Sequence, residues 1–511
     1  MKKHFLLLPF AALFILGNIA AQQRYLDEVF TNAQIQFDDN VVFGQNYIFF
    51  PPPSGAPPLG DLFMDVYYPN NSVDPVTARP LVVYLHTGSF LPKYINQQVT
   101  GNNQDSTVVE ICRRLARRGF VVAAPNYRLG WNPLASTLEE RTKQLLNAVY
   151  RAIHDAQTVV RFFKKDQATT NNYRIDPNKI VLFGQGSGGY IAIAYTSLNK
   201  QSETFLSKFV FNGQSVIDTT LVGNVHGVGG MFNNYNHPGY SNDVAMSVNL
   251  GGACGDISWV EPGEAPAVSF HCWKDLFAPY DSGTVIVPTT QQPVVFVHGS
   301  RTFIKKKNAL NSNSAMMAFN FTDAISARAY SLNPKATCEG LFEFRTPPLP
   351  GGLEEGSPWE YWDPAASIAE ADAVTGGQGA TINGNSLATN PDMSRTKAHK
   401  YIDTIMGFAL PRIIVTLNLI PNFNLEEVSK TSSFRVYPNP AEQEIFVEFS
   451  GSESARWIRI FDIQGRLVRQ VVPGASSGIT RLERGNLPSG TYTVQVQTHS
   501  GKQLESKLVL K

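Results

Sequence analysis

The run Ile180-Val181-Leu182-Phe183-Gly184-Gln185-Gly186-Ser187-Gly188-Gly189 decides the fold. Ile180 to Phe183 is a short apolar run suited to a buried strand, and Gly189 to Leu198 continues as a helix. Between them stands a glycine-rich turn holding one serine. A strand, such a turn and a helix lift a hydroxyl clear of a sheet's C-terminal edge, with helix N-terminal amides beside it. The rival is a phosphate-binding loop, but the turn has no Gly-Lys-Ser/Thr and lacks the full glycine spacing and distal acid of a dinucleotide site. Ser187 is therefore the candidate nucleophile.

Outward from this turn, strands and helices alternate, the pattern of an α/β domain with a parallel sheet covered on both faces. Asp61 to Tyr68, Leu81 to Leu85 and Phe120 to Ala124 read as strands. Thr107 to Arg118 and Leu145 to Phe163 read as helices, the first with Arg113, Arg114, Arg117 and Arg118 on a solvated face. Lysine and arginine total 43 against 42 acidic residues, a net charge of +1, so no whole-chain field draws nucleic acid. Four cysteines among 511 residues exclude a disulfide-built scaffold, and no His/Cys/carboxylate spacing suggests a metal site.

The stretch Pro80-Leu81-Val82-Val83-Tyr84-Leu85-His86-Thr87-Gly88-Ser89-Phe90 resembles the strand and oxyanion loop of secreted carboxylesterases of the α/β-hydrolase fold. Asp65-Val66-Tyr67-Tyr68-Pro69, Pro125-Asn126-Tyr127-Arg128-Leu129 and Arg174-Ile175-Asp176-Pro177 extend the resemblance in the family's order. It implies a doubly wound, mostly parallel sheet, with Ser187 attacking a carboxylic ester through an acyl-enzyme and no cofactor. The amides of Gly188 and of Gly88 or Ser89 would hold the oxyanion. In Phe270-His271-Cys272-Trp273-Lys274-Asp275-Leu276-Phe277-Ala278-Pro279 the resemblance makes Asp275 the acid that orients the base. Cys254 and Cys272 would end neighbouring strands, where either a disulfide or two buried thiols fits.

Two positions depart from the family pattern. Gln185 stands two before Ser187, where a small residue is usual, so the turn is wider than usual or the elbow is compromised. The base should follow Asp275, in the loop after the last strand. His298 directly follows the apolar run Pro293 to Val297, and His399 lies in a terminal helix; His499 belongs to the C-terminal region. A second candidate for the last strand, Leu341 to Arg345, is followed by a loop with Glu354 and Glu355 and no histidine. Serine without a base is a poor nucleophile. Two readings stay open: a serine hydrolase using His298 (alternatively His399), or a non-catalytic surface protein that keeps the fold for binding.

The two ends differ from the middle. Lys2 and Lys3 precede the apolar stretch Phe5 to Leu16, and Ile19-Ala20-Ala21 follows, so residues 1–21 read as a signal peptide. No later stretch reaches the roughly 18 apolar residues of a membrane span. From Phe434 the chain reads as short alternating strands of a small antiparallel sandwich, with Tyr492, Val494 and Val496 on one face. Val436-Tyr437-Pro438-Asn439-Pro440, Phe461-Asp462-Ile463-Gln464-Gly465-Arg466, Leu487-Pro488-Ser489-Gly490-Thr491-Tyr492 and Lys507-Leu508-Val509-Leu510-Lys511 resemble the C-terminal sorting domain of Bacteroidetes proteins exported by type IX secretion. The expected organisation is a leader (1–21), a hydrolase-like domain (22–423), a linker (424–433) and a sorting domain (434–511). The resemblance implies the type IX machinery as a partner, passage through the periplasm, and release or attachment at the cell surface.

Overall fold

The computed structural model describes residues 23–287, 292–347, 355–420, 434–449, 454–462, 466–473, 479–499 and 503–511. The expected leader and linker lie outside them, as do Glu354 and the Ile463-Gln464-Gly465 portion of the sorting motif. The chain divides into two units, Met1–Phe423 and Asn424–Lys511.

The first unit is built on an eight-stranded sheet. Its strands are β1 (Ile35–Tyr47), β2 (Leu59–Pro69), β3 (Arg79–Leu85), β4 (Val121–Pro125), β5 (Ile175–Gln185), β6 (Met246–Leu250), β7 (Ala267–Cys272) and β8 (Leu341–Phe344), in the order β1-β2-β4-β3-β5-β6-β7-β8. β1 and β2 pair antiparallel, as do β2 and β4, and the remaining pairs are parallel. Every residue of β3, β4, β6, β7 and β8 is buried. These are the valine-, leucine- and phenylalanine-rich runs that a sheet covered on both faces demands. The chain leaves β3 toward β4 on one side and reaches β5 on the other, so the loops after β3 and β5 meet at a switch point on the strands' C-terminal edge.

Helices Ser106–Arg117, Leu138–Ala168, Ser187–Ser197 and Arg395–Leu417 cover the sheet region. The second starts where the Thr137 hydroxyl accepts the Glu140 amide, and so begins earlier than apolar periodicity alone suggests. Among the described residues, no helix is long and apolar enough to cross a membrane. Arg113 of the first helix is exposed, whereas Arg114 pairs with Glu110, and Arg117 and the following Arg118 pair with Glu28.

Pro293–His298 is not the last sheet strand; it pairs antiparallel with Ser282–Ile286 in a separate hairpin, while Leu341–Phe344 completes the sheet beside β7. Thr375 to Arg395, rich in Gly, Asn and Thr, has the composition of a flexible insertion; it contains the helix Gly379–Ala388, whose Ile382 is buried with Tyr94, Val99, Trp362 and Ala371. The Cys254–Cys272 disulfide is not formed, and all four cysteines are buried thiols. Cys254 lies beyond the end of β6, where its backbone bridges to His298 and its thiol donates to the Asp256 carbonyl at 3.0 Å.

The second unit has two antiparallel sheets. One orders Phe434–Tyr437, Glu444–Phe449 and Ile479–Glu483; the other orders Leu467–Val471, Ala455–Phe461, Gly490–Thr498 and Gln503–Leu510. Tyr492, Val494 and Val496 share a buried face with Ile445, Val447, Ile458 and Leu508. The alternation read from the sequence is thus the sandwich core.

One buried ion pair positions the loop after β4. Asp155 accepts the Arg128 backbone amide at 2.7 Å and its guanidinium at 2.8 Å, with both side chains buried. Asp155→Ala leaves that cation uncompensated and is expected to cost about 3–5 kcal/mol in urea unfolding. Thiol titration of the protein denatured without reductant is expected to count four reactive cysteines.

Candidate active site and ligand cavity

β5 ends in a turn whose strained residue is Gly186, at φ 54° and ψ −117°. That is the conformation a nucleophile elbow imposes on its central residue, and glycine adopts it without a steric penalty. Ser187 is the next residue, the first of the following helix. The glycines on either side are required by close backbone approach: a β-carbon at Gly184 would lie 1.9 Å from the Gly188 carbonyl oxygen, and one at Gly188 would lie 2.1 Å from the Leu85 carbonyl oxygen. The small-x-elbow-x-small pattern is therefore Gly184-Gln185-Gly186-Ser187-Gly188, centred one residue before the serine. Gln185 is the intervening residue and no longer an anomaly. Its amide nitrogen donates to Glu360 Oε1 at 2.7 Å, and its oxygen accepts from the Tyr84 hydroxyl at 2.9 Å.

Thr87 fills the place that a side chain at the elbow would take. A β-carbon on Gly186 would stand 2.2 Å from Thr87 Oγ1. Ser187 is buried, and its hydroxyl meets the Tyr127 hydroxyl at 2.9 Å. The Tyr127 proton goes to the His86 carbonyl, also at 2.9 Å, so Ser187 donates to a phenol oxygen. Burial raises the Tyr127 pKa, and a neutral phenol is no base for a serine. His86 is neutral too, its pKa pushed down to about 4 by burial, and it stacks on Tyr127 with ring centres 4.4 Å apart.

The expected oxyanion donors divide. Gly88 and Ser89 line the cavity at this turn, both in the left-handed region. Gly188 does not point its amide there: that N–H donates to the His86 carbonyl at 3.1 Å, tying the elbow to the loop after β3. With the elbow centred on Gly186, the amide next in line is that of Ser187, which as first helical residue has no intrahelical acceptor.

Neither candidate base reaches this place. His298 Nδ1 pairs with Ser282 Oγ at 3.0 Å on the separate hairpin. His399 lies between Arg114 and Arg395, with its ring edge-on to Tyr361. Among the described residues lining the cavity there is no histidine. The loop after β8 instead brings Gly356 to Asp275, where a β-carbon would stand 3.6 Å from Asp275 Oδ1, within reach for an imidazole.

Asp275 lies in the loop after β7. Its Oδ1 accepts the Phe277 and Ala278 amides at 2.7 and 3.2 Å. Burial raises its pKa to about 7, against the pull of those two amides. His271, Nε2 3.8 Å from Oδ2, supplies no charge: that nitrogen donates to the Ala278 carbonyl, Nδ1 accepts from Ser300, and burial pushes its pKa down to about 4.

These groups share a cavity of about 190 Å³. The polar lining includes Thr87, Ser187, Asp275 and Glu360; the apolar lining includes Leu145, Val149, Ile153, Phe209 and Trp259, and the hairpin adds Val285 and Val295. Burial also raises Glu360 to about 7, with Asp105 adding to the shift. Of the aromatic cluster Pro358 to Trp362, Trp359 faces this cavity, whereas Trp362 is packed in the core and donates to Asn383 at 2.9 Å. Among the described residues, no group of three or more His, Cys, Asp or Glu could hold a metal ion. Thr87, Glu360 and Gly356 had no signal of their own in the sequence; centring the glycine pattern on Gly186 would have found the elbow.

Residues 64–301 match the BD-FAE family model, and residues 435–511 match a model described as a secretion system C-terminal sorting domain. No curated protein matches the chain in sequence. Among solved structures, a thermophilic esterase of the planctomycete Thermogutta terrifontis with butyrate bound is 16% identical, with 51% of this chain and 78% of that one covered and a TM-score of 0.30. Its apo form is 16% identical, covering 48% and 75%, with a TM-score of 0.29.

Between pH 3.8 and about 7 the unfolded chain sheds a proton from Asp275 that the folded chain retains, so this carboxyl makes stability fall as pH rises through that window. Asp275→Asn is therefore expected to be the more stable protein at pH 8, by about 1–3 kcal/mol, with the gain fading below about pH 4. Urea unfolding across that range measures it.

Proposed function

We propose, for a chain that carries an esterase-like α/β-hydrolase domain followed by a C-terminal sorting domain, that it is an exported binding protein whose catalytic pocket has become a ligand pocket. The observation that carries this is the elbow: the strained position is Gly186, with no side chain to attack, and the Thr87 hydroxyl occupies its space. The base is missing by the same kind of exchange, with Gly356 beside Asp275 where an imidazole would sit. Loss of the nucleophile alone costs a serine hydrolase about 10⁶ in turnover. What remains is a mostly apolar cavity with a few polar groups in its lining, the form of a small-molecule site. The sorting domain suits delivery by the type IX machinery, following the expected leader through the periplasm, to the cell surface or beyond.

A second reading is hydrolysis of a carboxylic ester through an acyl-enzyme on Ser187. It is favoured by the family match and by Ser187 lying in the same cavity as Asp275. It needs a proton acceptor for Ser187, and Tyr127 is the wrong group for that work.

A fluorophosphonate probe on the full chain separates the two. No labelling is expected of the natural protein, whereas the triple variant Gly186→Ser, Thr87→Gly, Gly356→His is expected to label, since it restores nucleophile and base and clears the space that Thr87 takes at the elbow. Labelling of the natural protein that Ser187→Ala abolishes would sink the binding reading.

A further inference from the structure

We infer that the ligand of this cavity carries a protonated amine on an apolar body, and that the amine seats on Asp275 in the place of the base that the chain lacks. The inference rests on the binding reading above and names the chemistry of its ligand. Asp275 is fixed by the backbone, because Oδ1 takes two amides in its own loop. Its other oxygen, Oδ2, faces Gly251, whose β-carbon would stand 3.5 Å away, and Gly356 flanks Oδ1 at 3.6 Å. Two residues of the cavity lining that face the carboxyl are thus glycines. The side chain is 4% exposed, so bulk water does little to solvate it.

Three titratable groups packed against Asp275 carry no charge, and Lys397, near Cys272, is itself held in ion pairs with Glu355 and Asp392. His271 is a neutral imidazole with both nitrogens engaged by Ser300 and Ala278. Tyr190 is a neutral phenol whose hydroxyl turns to the Phe277 carbonyl. Cys272 is a buried thiol. A buried carboxylate with no cation is costly, and a ligand ammonium within hydrogen-bond reach removes that cost. Glu360 also lines the cavity, so an anionic ligand would find a second acid there and no cation among the lining residues. The apolar walls, with Ile153, Phe209 and Trp259, suit a hydrocarbon or aromatic body.

Isothermal titration of the full chain at pH 8 with hexylamine, 1-hexanol and hexanoate tests this. Hexylamine is expected to bind at least tenfold more tightly than hexanol, and hexanoate more weakly than either. Asp275→Asn, and independently Gly356→Leu, which covers the carboxyl, should bring hexylamine within twofold of hexanol. Retained hexanol binding reports that each variant is folded. An amine that binds no better than hexanol, or an amine preference that survives Asp275→Asn, overturns the inference and leaves the binding function standing. Failure of all three compounds to bind overturns both.

Discussion

The turn at residue 186 is the constraint on which the rest of this domain depends. There β5, the start of the next helix and the loop after β3 approach so closely that a single β-carbon at position 184 or 188 would overlap backbone atoms. The three segments are stitched together by polar contacts: the Gly188 amide and the Tyr127 hydroxyl both end on the His86 carbonyl, and Gln185 joins Tyr84 to Glu360. This geometry is a matter of packing and does not require a nucleophile. In an enzyme the central residue must carry a side chain at a strained backbone position, at a cost of about 1–3 kcal/mol. With glycine at that position the strain is gone, and so is the attacking group.

On the binding reading, the same exchange has taken the base and spared the acid. An aspartate whose task was to orient an imidazole would be expected to disappear with it, since its burial without a cation destabilises the fold at neutral pH. Its retention, with Gly251 and Gly356 leaving it uncovered, is the kind of stability cost that function accounts for. Thr87 completes the picture as a hydroxyl set into the space vacated at the elbow, where it shapes the cavity wall.

Much of the fold was legible in the sequence, because strands buried on both faces are spelled as unbroken apolar runs and helices as period-3.6 stripes. Leu81 to Leu85 and Phe120 to Ala124 are such runs. The method fails where one pattern serves two structures. Pro293 to Val297 reads like a sheet strand and is a hairpin arm, because a short apolar run does not say which partner it pairs with. Gly379–Ala388 reads like a flexible segment and is a helix, because Ile382 finds a buried place beside Trp362.

At the site the sequence by itself determined that a glycine-rich turn links a buried strand to a helix and that no histidine stands in the loop after Leu341 to Arg345, while the resemblance singled out Asp275 in the loop after a late strand. Tertiary structure alone decided which residue of the turn is the elbow. A backbone angle at Gly186 is set by how β5 and the helix pack against β3, and the identity of the residues gives no sign of it beyond the spacing of small neighbours. The meeting of Thr87 with Gly186, and of Asp275 with Gly356, brings together residues far apart in the chain. Such contacts exist only once the parallel strands have brought their C-terminal ends to one edge.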